Sequence, residues 1–181
     1  MENILTRPAS TAKQHSSFFV IILGSGLITL SAFAKIPFFP VPFTLQTLAI
    51  FLLGLTLPPR QAMGSALCYL GLATMGFPVF CGASNPFWIV GKCGGYLVAF
   101  PIAACMISAL VRKKIPSFLA LLCGLAVIYS LGFIWLSFFF GSEVALMKGI
   151  VLFIPADLLK VLVAVSSVSY WQRWQKNEHR Q

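Results

Sequence analysis

The chain has 181 residues, of which 59% are hydrophobic and only 9% charged, with a mean hydropathy of +0.91. A soluble domain carries about 25% charged residues, so this composition excludes a water-soluble body and indicates a polytopic membrane protein. The net charge of +9 does not signal nucleic acid, because the cations sit in short segments between apolar runs and not on one polar face.

Six apolar segments are set off by charge, proline and glycine. They predict an all-α single integral domain over residues 1–181, with transmembrane helices near 18–34, 43–57, 61–75, 87–111, 118–140 and 145–171. The first segment follows basic residues and ends in "AFA" at Ala32–Ala34. That resembles a cleavage site, but the apolar stretch is long for a signal peptide and further spans follow, so a retained first helix is expected. Ahead of the second segment, Pro37, Pro40 and Pro42 in "IPFFPVPFTLQ" impose a stiff, extended outer loop. Thr44 and Gln46 then supply hydrogen-bonding groups as the helix begins. Composition leaves a rigid connector and a lid over a site equally open.

Before and into the fourth segment, "GASNPFWIVGKCGGYLVAF" surrounds Lys92 and Tyr96 with glycines at 91, 94 and 95. These glycines allow either a ligand or a neighbouring helix to approach the backbone closely. A phosphate-binding P-loop is excluded, since Pro86 stands where glycine is needed and Cys93 replaces the Ser/Thr. The sixth segment holds "LFIPADLLKVLVAV". Asp157 and Lys160 lie three residues apart, hence on one helix face, and their opposite charges lower the cost of burying both. Pro155 just before them is expected to free the carbonyl of Val151. Ionisable pairs inside a membrane span mark polar sites by default; an ion pair that only locks helix packing is the alternative.

Lysine and arginine counts give the orientation. With six spans, nine cations fall on the side of both termini and three (Lys35, Lys92, Lys148) on the other. Both termini are therefore expected in the cytoplasm of a bacterial inner membrane. Five scattered cysteines, at 68, 81, 93, 105 and 123, show no metal or disulfide spacing, and no cofactor is expected. Catalysis has little basis: Asp157 is the only aspartate, and no GxSxG or HExxH motif occurs.

Taken in order, "IPFFPVPFTLQTLAIFLLG", "GLATMGFPVFCG", "GKCGGYLVAF" and "IPADLLK" resemble the BioY family over residues 36–165. BioY proteins are biotin-binding S components of energy-coupling-factor (ECF) transporters. The resemblance implies a six-helix membrane protein that takes biotin from outside and is energised by an ECF transmembrane coupling subunit with two cytoplasmic ATPase subunits. It places the family's binding residues on Asp157, Lys160, Gly91, Gly94, Gly95, Tyr96 and Pro42, Thr44 and Gln46 of the first outer loop and helix start, with Asn85 as a further match. Two departures stand out. Lys92 and Cys93 replace the family's proline and hydroxyl residue, and the small residues that would dock the coupling subunit on helix one fall on Ser25 and Thr29.

Biotin fits this set chemically. Its ureido ring offers two N–H donors and one carbonyl, for which Asp157 accepts and Lys160 donates. The thioether ring would pack on apolar side chains, and the valerate carboxylate would reach either Lys92 or Lys160. Competing readings are an S component for another small vitamin and, from a different class, a small intramembrane enzyme.

Overall fold

The structure, a computed structural model, describes residues 14–80 and 84–178. Its helices in chain order are α1 (Gln14–Phe33), α2 (Gln46–Thr56), α3 (Pro59–Thr74), α4 (Gly94–Arg112), α5 (Ser117–Phe140), α6 (Ser142–Leu146) and α7 (Ile154–Glu178). A two-stranded antiparallel hairpin, β1 (Lys35–Ile36) and β2 (Phe43–Thr44), joins α1 to α2. A π-helical turn at Met147–Val151 and a further turn at residues 152 and 153 connect α6 to α7. These three pieces form one rod, so the chain makes six helical rods, matching the six segments expected.

Not every rod crosses a bilayer alone. Gly94–Arg112, Ser117–Phe140 and Ser142–Trp171 are long and apolar enough by length and composition. With 11 residues, α2 rises only about 16 Å, roughly half of a ~30 Å hydrocarbon core. The hairpin ahead of it lines an internal cavity, the setting in which non-helical backbone is tolerated at membrane depth.

α4 is the centre of the bundle and packs on α2, α3 and α5. Its approach to both α2 and α5 depends on small residues facing Ile107, which is fully buried. A Cβ on Gly54 would sit 2.8 Å from the Ile107 Cβ, and one on Gly124 would strike the Ile107 side chain. Exposed Phe18, Phe19, Leu23, Leu27 and Leu30 on α1 form the face suited to lipid, where apolar exposure carries no penalty.

Three expectations are revised. The fourth helix starts at Gly94 and not near residue 87, because Phe87–Cys93 form a turn and a short 3₁₀ segment at Trp88–Val90. The break in the last rod precedes Pro155, which therefore occupies the first turn of α7, where its missing N–H costs no intrahelical bond. Ser25 is 2% exposed and points into the bundle, so it cannot belong to an outward docking face on α1; the exposed small residue there is Gly26.

Candidate functional site

Below the hairpin, α2, α4, α5 and α7 enclose a cavity of about 430 Å³, within the range of sites for small organic ligands. Its floor is a charged network. The Lys160 ammonium donates to Asp157 Oδ1 at 2.8 Å, to the Thr47 hydroxyl at 2.9 Å and to the backbone carbonyl of Thr44 at 2.7 Å. Asp157 also accepts from Thr47 Oγ1 on Oδ1 at 3.2 Å and from the Tyr129 hydroxyl on Oδ2 at 2.7 Å. All three Lys160 donors are thereby engaged, and three of the roughly four acceptor positions of the carboxylate are filled.

Local structure explains why two charges persist here. Asp157 lies in the first turn of α7, where the helix dipole favours a carboxylate. Lys160 follows one turn later on the same face. Residue burial is 2% exposed for Asp157 and 8% for Lys160, deep enough that either ion alone would be costly. The π-turn ahead of α7 is held by the Tyr96 hydroxyl, which donates to the Gly149 carbonyl at 2.9 Å.

The roof is the hairpin. Phe43 stacks on Phe153 at 4.1 Å between ring centroids, and Phe39 meets Phe140 edge-on at 5.5 Å. Thr44 Oγ1 donates to Gln46 Oε1 at 3.0 Å, and Gln46 Nε2 donates to the Tyr69 hydroxyl at 2.7 Å. Lys160 thus ties the hairpin strand β2 to α7 through the Thr44 carbonyl, while Gln46 ties the start of α2 to α3. The walls between roof and floor include Trp88, Phe100, Ile128 and Phe153, apolar surface suited to a compact ring system.

Of the residues singled out in the sequence, Pro42, Thr44, Gln46, Asn85, Gly91, Lys92, Tyr96, Asp157 and Lys160 all line this one cavity. Gly94 and Gly95 do not line it. Both are buried: a Cβ on Gly95 would meet Trp135 and the Leu131 carbonyl of α5, and one on Gly94 would meet the Ile89 carbonyl of the preceding 3₁₀ segment and the Trp135 indole nitrogen. Trp135 in turn donates from Nε1 to the Gly91 carbonyl at 2.9 Å, so these glycines admit the indole that fixes the loop at the cavity edge. Lys92 lies 4.4 Å from the centre of the Phe39 ring, a cation–π distance.

Sequence reasoning missed Tyr129 and Thr47, which complete the coordination of Asp157, and Lys35, which also lines the cavity. A signal existed for two of them. Tyr129 is the only tyrosine in the long apolar α5, and Thr47 directly follows Gln46.

Comparison with known proteins now bears on this arrangement. The BioY family model matches residues 6–177. The chain belongs to the BioY family. Among its relatives, a probable biotin transporter BioY of Pyrococcus horikoshii is 40% identical over 147 residues, covering 81% of this chain and 90% of the relative. The biotin transporter BioY of Thermotoga maritima is 37% identical over 146 residues, covering 77% and 86%. The crystal structure at 2.1 Å of the S component for biotin from an ECF-type ABC transporter superposes with a TM-score of 0.80 at 25% identity, covering 92% of this chain and 95% of that one. The BioY fold and a multi-pass membrane setting follow from these matches and the apolar helices.

Proposed function

We propose that this BioY-family chain is a biotin-binding S component that takes biotin from outside the cell and does no chemistry on it. The observation that carries the reading is the buried Asp157–Lys160 floor beneath an aromatic hairpin, in a chain whose relatives are named biotin transporters. The free acceptor position on Asp157 takes a ureido N–H. Lys160, whose three donors are held by Asp157, Thr47 and the Thr44 carbonyl, fixes that carboxylate in place and does not donate to the ureido carbonyl, the role expected from the sequence. The fused rings pack on the apolar walls. No cofactor takes part.

Uptake is energised by a separate ECF transmembrane coupling subunit and two cytoplasmic ATPase subunits, a reading supported by the solved S component of an ECF-type ABC transporter. The protein resides in the bacterial inner membrane with both termini cytoplasmic, as the distribution of lysine and arginine supports. The cavity then opens toward the side that receives the hairpin and Lys92.

The test is equilibrium binding of labelled biotin to the purified protein, with unlabelled vitamins of other classes as competitors. Saturable binding displaced by biotin and not by the others is expected. Trp88, in the cavity wall, should report occupancy by a shift in its fluorescence. No saturable binding of labelled biotin, or its displacement by a vitamin of another class more readily than by biotin itself, would overturn the assignment in favour of a different S-component substrate.

A further inference from the structure

The polar groups of the cavity divide into two sets. At the floor, Asp157 and Lys160 cancel in charge, and the Thr47, Tyr96 and Tyr129 hydroxyls, like that of Thr44 in the hairpin above, each hold a protein partner. At the mouth, the Lys35 and Lys92 side chains have neither a carboxylate nor a hydrogen-bond partner among the described residues, and Lys92 rests only on the Phe39 ring. Both line the cavity. Both also belong to one corner of it: Lys35 sits on β1 directly opposite Thr44, and Phe39, which carries Lys92, lies between the two strands of that hairpin. Cross-strand partners point to the same face of a ribbon, so Lys35 shares the cavity face with Thr44. The cavity's uncompensated charge is therefore two ammonium groups, from two different elements, both at the hairpin.

Resting on the biotin reading above, we infer that Lys35 and Lys92 form a two-cation clamp for the ligand's carboxylate, so the site takes the free acid and rejects its neutral amides and esters. A carboxylate offers several acceptor positions and can be shared by two point charges carried on different elements, and charge-assisted bonds are about twice as strong as neutral ones. The carboxylate cannot be served equally well at the floor, because every donor of Lys160 is already engaged by Asp157, Thr47 and Thr44. An amide tail brings no charge to the mouth and adds an N–H donor facing two cations. The clamp thus fixes the ligand with its tail toward the hairpin and separates free biotin from biotin attached through its carboxyl to an amine.

The test is a calorimetric titration of wild type, Lys35→Met, Lys92→Met and the double variant with biotin and with biotinamide. Wild type should prefer the acid by at least about tenfold, each single variant should lose roughly three- to fivefold of that preference, and the double variant should bind both ligands alike. Lys92→Arg should keep the preference. Equal wild-type affinity for acid and amide overturns the clamp, as does an acid preference that survives in the double variant. If Lys35→Met alone has no effect, the two-cation arrangement is wrong. Failure of both ligands to bind wild type would instead remove the biotin reading itself and the clamp with it.

Discussion

The floor and the mouth of this cavity are built from the same residue types but to opposite ends. At the floor, a buried lysine is bonded to a carboxylate, a hydroxyl and a carbonyl, and its charge is cancelled within the protein. At the mouth, two lysines carry no acidic partner among the described residues, and one is held only by an aromatic ring. Burial makes the difference. Deep in the bundle an unpaired charge is too costly to keep, whereas at the hairpin Lys35 is exposed and Lys92 half-buried, and an unpaired charge costs less. Fixed geometry is available for recognition at the floor, and free charge at the mouth.

The largest effect should come from breaking the floor. Asp157→Asn leaves Lys160 charged and buried without a counter-ion, which costs about 3–5 kcal/mol. Thermal unfolding of the detergent-purified protein should show a large drop, and Asp157→Asn/Lys160→Met should recover most of it. Equal stability of the single and double variants would show that the pair is not coupled. Next comes Gly95→Ala. Its Cβ meets the Leu131 carbonyl and the Cβ of Trp135, atoms that cannot swing aside, so overpacking should cost roughly 1–3 kcal/mol. Stability should fall while biotin affinity per folded molecule changes little; a selective loss of affinity would return Gly95 to the binding site. Smaller still, Tyr129→Phe removes one hydrogen bond to a charged carboxylate that keeps two others. A loss of about 1.5 kcal/mol of stability is expected, read as a modest fall in the unfolding temperature. At the mouth, the single lysine variants should lose the least and leave the unfolding temperature where it is.

Much of this was legible in the sequence because membranes leave few choices. Long apolar runs must be helices, so most rods were placed within a few residues, and a lone Asp–Lys pair at i, i+3 inside such a run marks a buried charged cluster, whether for a ligand or for packing. The start of α4 was not legible: "NPFWIVGKC" is as apolar as a helix, and only the geometry around Gly91 and Trp135 makes it a loop. Face assignment was the other gap. Ser25 and Gly26 are neighbours with opposite exposures, and nothing in a uniformly apolar helix says which faces inward. Gly94 and Gly95 read as ligand-facing because close approach to a ligand and to an indole demand the same missing Cβ. Tyr129 and Thr47 were missed because their link to Asp157 spans 28 and 110 residues of sequence, a separation that no local pattern encodes.

The most direct test of the central claim is a biotin titration of wild type beside Asp157→Asn/Lys160→Met, in which the buried charges are removed together so that the bundle stays folded. Saturable binding to wild type and none to the double variant is the predicted result. Undiminished binding to a folded double variant would show that the charged floor serves packing alone and that biotin is recognised elsewhere.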